Sequence, residues 1–274
     1  MKHTKELFDL TGRVAIVTGG RGLYGASISL GLCEMGATVV IASRSGDKCE
    51  EYAKTLREQG YKAYGMALDL SDDASIGSFT DEVYRKFGRI DILVNNAVDR
   101  RNMTSLQDAT RQKLQLSADV NLNGQILLSQ AVLEYMLPQK KGSIINISSM
   151  RGLDCPHFPF YPDTWPDQPV TYTTEKWAMV GLTKYMAGRY GKQGIRVNCI
   201  APGGFDPGLA NDPDKQAFQQ TYIENCPLGC ETPRQVQENV DLFNRCVTLS
   251  ADQLAEIRSC FASTPVRVLN PSLW

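Results

Sequence analysis

The sequence predicts an α/β fold: a doubly wound parallel sheet in three layers, helix on sheet on helix. Three observations predict it. Short β-rich apolar runs alternate with helical stretches from Arg13 to Ile200, and such alternation builds parallel βαβ units. The strand runs carry no strictly polar face, which suits a sheet covered on both sides. The first of them runs straight into a glycine cluster that opens a helix.

Each element has its own signal. Arg13–Thr18 (RVAIVT) is the first strand, and an amphipathic helix follows over Ala26–Met35, ended by Gly36. Thr38–Ala42 (TVVIA) is the second strand, followed by a helix over Asp47–Gln59 closed by Gly60. Lys62–Leu68 is a weaker strand, and Asp72–Phe87 a helix closed by Gly88. Ile90–Val94 (IDILV) and Ser143–Ile147 (SIINI) are strands four and five, separated by a long, mostly helical stretch over Thr110–Leu137. A second long helix spans Val170–Tyr190, and Ile195–Ile200 (IRVNCI) is the sixth strand. Prolines preclude a regular helix over Gly152–Pro169, so this segment is a loop or lid.

Composition narrows the function. The 274 residues are 42% hydrophobic and 22% charged, an ordinary globular composition for one domain over 1–274. Lys and Arg total 29 against 30 Asp and Glu, so no global basic field invites nucleic acid or an anionic membrane. His3 and His157 are the two histidines, which excludes a His-rich metal centre; no metal is expected. The eight cysteines form no CxxC pair and read as reduced thiols. The N-terminus lacks the apolar core of a signal peptide and no segment is long and apolar enough to span a bilayer, so a cytoplasmic protein is expected.

The glycine cluster reads Thr18-Gly19-Gly20-Arg21-Gly22-Leu23-Tyr24-Gly25. Glycines allow a tight turn and close backbone approach to a pyrophosphate, and the helix behind them offers free N–H groups and a partial positive charge. Strand before and helix after make this a Rossmann-type dinucleotide cradle rather than a mere turn. The second strand ends in Ser43 and Arg44, where an NAD enzyme usually carries a carboxylate for the ribose 2′-hydroxyl. NADP(H) is therefore favoured and NAD(H) remains the alternative, as does a purely solvated Arg44.

Tyr172 and Lys176 stand four apart at the start of the second long helix, on one face. A cation beside a phenol favours its ionised form, which suits acid/base work near neutral pH. An ordinary surface pair is the alternative.

With its setting included, the chain resembles the short-chain dehydrogenases/reductases, in their single-domain branch. The matching features follow the family's order from Leu10 to Pro207: the glycine turn, Asp69-Leu70, Asn95-Asn96-Ala97, Asn121, Ser149, Tyr172 with Lys176, and Pro202-Gly203. The resemblance implies an oxidoreductase moving a hydride between NAD(P) and a secondary alcohol or ketone. It implies that Tyr172 handles the proton, Ser149 binds the substrate oxygen, Lys176 tunes Tyr172 and holds the nicotinamide ribose, and Asn121 supports a water relay. Asp69 and Leu70 would flank the adenine, Asn95 and Ala97 would line the cofactor cleft, and Pro202 and Gly203 would sit by the nicotinamide. Ser148 is the alternative hydroxyl to Ser149, Asn95 and Asn121 have an alternative as caps, and Asp69 as cap of the helix beginning near Ser71. A homodimer or homotetramer follows by the same analogy.

The pattern departs in four places. Leu23 stands where this branch usually has glycine, giving the TGxxGxxG spacing of the sugar-nucleotide-modifying branch, and Val98 replaces the glycine after Asn-Asn-Ala. Ser149 and Tyr172 are 23 positions apart, about twice the usual separation, and the excess is the loop over 152–169. Similar insertions occur in relatives linked to bacterial surface-sugar modification, which hints at a sugar or polyol; a lid or subunit contact is the alternative. Arg151, His157, Tyr161, Gly204 and Phe205 are the candidate substrate residues. A substrate lid is expected over 204–228, and an atypical tail over 250–274 replaces the usual last strand, with Val266–Leu269 as its candidate substitute. The competing readings are a sugar-nucleotide epimerase or dehydratase, and a catalytically inactive cofactor-binding protein.

Overall fold

A computed structural model of the chain describes residues 8–161, 167–203 and Gln216. The chain divides into two compact units, Met1–Gly204 and Phe205–Trp274, and Gln216 is the one described residue of the second. The lid expected over 204–228 apart from Gln216, the tail over 250–274, Gly204 and Phe205 lie outside the described residues, as does 162–166 of the insertion.

Among the described residues, six strands form one parallel sheet: β1 (Val14–Thr18), β2 (Thr38–Ser43), β3 (Lys62–Ala67), β4 (Ile92–Asn95), β5 (Gly142–Ile147) and β6 (Ile195–Ile200). Their order is β3-β2-β1-β4-β5-β6, the doubly wound order in which the direction of winding reverses between β1 and β4. Val17 lies opposite Ile41 on one side and Val94 on the other, so β1 is central and its residues are all buried.

The helices are α1 (Leu23–Glu34), α2 (Gly46–Glu58), α3 (Asp73–Phe87), α4 (Arg111–Ala118), α5 (Gly124–Met136) and α6 (Val170–Tyr190). Alternate strand residues feed two cores, because successive side chains leave a strand on opposite faces. Val14, Ile16, Val40, Leu93 and Ile144 pack with α3, α5 and α6 through Phe79, Leu128, Met136 and Met186. Ala15, Val17, Val39, Ile41 and Ile92 pack with α1 and α2 through Cys33, Cys49, Ala53 and Leu56. Both faces of the sheet are therefore dry.

Where the sequence predicts helix ends at Gly36, Gly60 and Gly88, those residues take positive φ and close the helices. One expectation needs correction, one is refined, and one alternative falls away. The first helix starts at Leu23, and its buried line is the small residues Gly25, Ser29 and Cys33 rather than an amphipathic apolar stripe. Small residues are needed because the helix lies close on the glycine turn. The long stretch after β4 is not one regular helix: a π-helical segment, Asp119–Asn123, joins α4 to α5. The cap of α3 is Asp72, whose carboxylate accepts from the Ala74 N–H, and not Asp69.

Gly25 illustrates the packing constraint. A Cβ there would overlap the Gly19 carbonyl oxygen, whereas a Cβ at Gly31, on the same helix, meets nothing within 4 Å. Gly31→Ala is expected to stabilise the protein by about 1 kcal/mol. Gly25→Ala is expected to destabilise it by about 2 kcal/mol. Thermal or urea unfolding of the two variants side by side checks both signs.

Candidate active site

The crevice opens at the C-terminal ends of β1 and β4, where an open α/β sheet that reverses direction leaves room for a ligand. It has a cavity volume of about 130 Å³ and is lined by Thr18 and Gly19 after β1, Ser43 and Arg44 after β2, Asp69 and Leu70 after β3, and Ala97, Val98 and Asp99 after β4. Val120 of the π-helical segment closes one wall.

Thr18 ties its two central strands together. Its hydroxyl donates to the Val94 carbonyl at 3.3 Å and accepts from the N–H groups of Asn96 and Ala97, each at 3.0 Å. The Asn96 amide donates to the carbonyls of Thr18 at 2.9 Å and Gly19 at 3.2 Å, fixing the glycine turn from the β4 side. Beyond the turn, α1 begins with Gly22 at its N-cap, with no capping side chain and no acidic residue in its first turn. Its first N–H groups are thus left for an anion. Arg21 is exposed in the turn, Leu23 is half-exposed at the first helical position, and the Tyr24 hydroxyl donates to the Gly203 carbonyl. Pro202 is held next to β5 by its carbonyl, which accepts from the Met150 N–H at 2.9 Å.

Asn95 is placed elsewhere than the family pattern implies. It is fully buried at the end of β4, away from the crevice lining, and donates to Ser129 Oγ and Asn146 Oδ1, both at 2.9 Å. Asn146 passes the ladder on to Thr183 of α6 at 2.9 Å. Its neighbour Asn96 holds the turn instead, because consecutive residues leave a strand end on opposite sides.

The far side of the crevice is charged. Asp99 is buried and takes a bidentate grip from Arg101, with the shortest contact at 2.5 Å, while Arg44 approaches it at 3.8 Å. The Arg101 hydrogen bonds, acting against burial, hold the Asp99 carboxyl down at about 2. The Asp69 carboxylate accepts from the N–H and hydroxyl of Ser71. Ser43 is engaged with Cys49 Sγ at 3.0 Å. Thr18, Asn96, Asp99 and Arg101 were not expected from the sequence. A threonine before the glycines and a second asparagine after β4 are visible in it, but their partners are supplied by strands far apart in the chain.

The second half of the site lies across β5 and α6. Lys176 is 6% exposed and its ammonium donates to the Ile147 carbonyl at 2.8 Å. Burial drives its pKa down from 10.5 to about 8, with Arg100 adding to the depression, and the charges of Glu175 and Cys199 oppose it. The ammonium stands 5.7 Å from the centre of the Tyr172 ring, one helical turn away. Ser148 and Ser149, left as alternatives by the sequence, are distinguished by their contacts. Ser148 spends its hydroxyl on the Lys176 carbonyl at 2.7 Å, whereas Ser149 Oγ only accepts from the Arg151 N–H at 3.2 Å and keeps its proton to give.

Asn121 sits at the centre of the π-helical segment and grips the Asp99 backbone: Oδ1 accepts from the Asp99 N–H at 2.7 Å and Nδ2 donates to the Asp99 carbonyl at 2.9 Å, with Ser117 Oγ a second acceptor at 3.3 Å. Of the insertion, Arg151 pins the described part back towards Ser149, donating to the Cys155 carbonyl at 2.7 Å and the Tyr161 hydroxyl at 2.9 Å. His157 is exposed ahead of a short 3-10 turn, Phe158–Phe160.

This arrangement can hold a dinucleotide along the strand ends and move one proton beside Ser149. A family model described as short chain dehydrogenase matches residues 13–217. The chain belongs to the short-chain dehydrogenases/reductases. Members of this family move a hydride between NAD(P) and an alcohol or carbonyl carbon. The chain is 32% identical over 235 residues to the 3-oxoacyl-acyl-carrier-protein reductase FabG of Aquifex aeolicus, covering 85% of this chain and 90% of that protein. It is 33% identical over 195 residues to the D-threitol dehydrogenase of Mycolicibacterium smegmatis, covering 71% of each. A crystal structure of a gluconate 5-dehydrogenase from Burkholderia cenocepacia in complex with NADP and tartrate superposes with a TM-score of 0.72 at 31% identity, covering 83% of this chain and 86% of that one. A family dinucleotide fits the residues present: the Gly25 position admits no Cβ, the α1 N-terminus is uncapped, and the crevice follows the strand ends.

The buried lysine has a measurable consequence. Its folded pKa lies below its unfolded one, so between about pH 8 and pH 10.5 the unfolded chain binds the extra proton and stability rises with pH. Relative to Lys176→Met, the wild-type protein is expected to gain about 3 kcal/mol across that window. Urea unfolding of both proteins at the two ends of the window measures the difference.

Proposed function

We propose that the protein is an NADP(H)-preferring dehydrogenase/reductase that interconverts a secondary alcohol and a ketone on a polyhydroxylated small molecule, a sugar, polyol or sugar acid. The observation that carries the chemistry is the buried Lys176 ammonium, held by the Ile147 carbonyl beside Tyr172 at the end of the strand that delivers Ser149. The names D-threitol dehydrogenase and gluconate 5-dehydrogenase among its relatives support the substrate class.

The residue roles follow from this geometry. Ser149 would donate its hydroxyl proton to the substrate oxygen. Tyr172 would give that oxygen its proton in reduction and take it back in oxidation. Lys176 would hold the ribose hydroxyls and, as a cation, stabilise negative charge developing on the phenol oxygen. Asn121 would act at one remove, holding the Asp99 backbone and so the wall of the crevice, in addition to any water it supports. The glycine turn and the α1 N-terminus would receive the pyrophosphate, with Gly19, Gly22, Leu23, Tyr24 and Gly25 around it. Asp69 and Leu70 would flank the adenine, and Pro202 and Gly203 the nicotinamide. The bound nicotinamide supplies the hydride. Arg151, His157 and Tyr161 would read the substrate from the insertion.

The cofactor preference rests on Ser43 and Arg44 at the end of β2, where the chain carries no carboxylate and a half-exposed guanidinium lines the crevice. Free thiols at Cys33, Cys49, Cys155 and Cys199 suit a reducing, cytoplasmic compartment. Exposed apolar residues on three helices, Leu114 and Leu116 on α4, Ile126 on α5, and Trp177 and Tyr185 on α6, support assembly into a homodimer or homotetramer.

Tyr172→Phe is expected to abolish turnover of a panel of polyols, aldonates and ketoses while leaving NADPH affinity within a few-fold; a variant that still turns over ends the assignment of Tyr172. Arg44→Ala is expected to weaken NADPH about tenfold or more and NADH little. Fluorescence titration with both nucleotides measures this, and equal losses for the two would return the preference to NAD(H).

A further inference from the structure

Directly before Lys176 stands a second buried ionisable side chain that neither the glycine turn nor the Tyr172 site uses. Glu175 is 5% exposed on α6. Its Oε1 accepts from the Ser117 hydroxyl of α4 at 2.6 Å. Asn121 Nδ2 donates to the same Ser117 oxygen at 3.3 Å, so the carboxylate and the asparagine share one hydroxyl. The second carboxylate oxygen, Oε2, is buried with no hydrogen-bond partner among the described residues. A buried carboxylate with half its hydrogen-bonding capacity unmet is costly unless a positive charge compensates it.

We propose that Glu175 is a positioning residue for the proton-transfer machinery: its carboxylate, anchored through Ser117, keeps Lys176 in its charged form and holds Asn121 in register with it. This rests on the roles given above to Tyr172 and Lys176. The two charges act on each other in opposition to burial. Burial raises the Glu175 pKa, and the Ser117 hydrogen bond, the nearby Asn121 amide and the Lys176 charge pull it back. Burial lowers that of Lys176 to about 8, and Glu175 is the first of the groups that oppose it. The other groups bearing on the lysine are Cys199 of β6, which favours its charged form, and Arg100 of the segment after β4, which disfavours it. Without Glu175 the lysine would face desolvation and Arg100 with Cys199 as its remaining support, and it would lose its proton closer to neutrality.

Glu175→Gln keeps the acceptor for Ser117 and removes the charge. Two readouts decide the proposal. In ketone reduction with NADPH, the alkaline limb of kcat/KM is expected to move to lower pH by about half a unit to one unit, because removing the anion weakens proton binding at both groups beside it. In a carbon-13 NMR titration of the lysine ε-carbons of the whole chain, with the resonance assigned by Lys176→Met, the Lys176 midpoint is expected to fall by the same amount. Should Glu175→Gln not fold, Ser117→Ala, which takes a stabilising donor from the carboxylate, is expected to move both readouts in the same direction by less. A Lys176 midpoint that stays in place in the folded variant overturns the proposal. The NMR arm is independent of turnover: if Tyr172→Phe remains active the catalytic reading fails, while the lysine titration still decides whether Glu175 sets the charge of Lys176.

Discussion

The structure depends on one topological constraint, the reversal of winding between β1 and β4. Parallel strands need crossover connections, these are right-handed, and two runs wound outward from a central pair place helices on both faces. At the reversal no helix covers the strand ends, so a crevice is unavoidable there. The sequence lines that place with Thr18, Gly19, Asn96 and Ala97, and the Thr18 hydroxyl and Asn96 amide join the two strands across it. Gly25 then lets α1 lie against the turn closely enough to present its N-terminus to the same crevice.

A sheet that is dry on both faces carries its polar side chains in hydrogen-bonded sets. The site is built from such sets. Asn95, Asn146, Ser129 and Thr183 join β4, β5, α5 and α6, and Asn121 binds both backbone groups of Asp99. Ser117 links that asparagine to Glu175. Because these side chains bond to one another across several elements, the position of the reacting groups is set by the packing of the whole first unit rather than by loops. The π-helical segment belongs to this logic: it accompanies the inward placement of Asn121, and segments of this kind often mark functional positions.

The electrostatics of the two halves differ. Around the outer crevice, hydrogen bonds from Arg101 to Asp99 and from Ser71 to Asp69 hold both carboxyls below their ordinary range. Around Lys176 burial dominates, and it brings an ordinarily permanent charge to about 8, where small neighbouring effects decide its state. Recognition and proton transfer are thus separated in space and in the strength with which each charge is held.

Much of this was legible in the chain. All six strands follow from apolar runs bounded by glycines, and the ends at Gly36, Gly60 and Gly88 follow from the one residue that accepts positive φ without strain. The glycine turn and the pairing of Tyr172 with Lys176 are local in sequence, and local spacing determines local geometry. The family follows from the order of these signals. Only the tertiary structure decided which of two neighbours does what: Asn96 and not Asn95 holds the turn, Ser148 is bonded to the Lys176 carbonyl while Ser149 is left able to donate, and Asp99 and Glu175 are buried. Those outcomes depend on which strands lie side by side and which helix crosses them. Periodicity within one segment carries no record of that, because the partner groups are dozens of residues away.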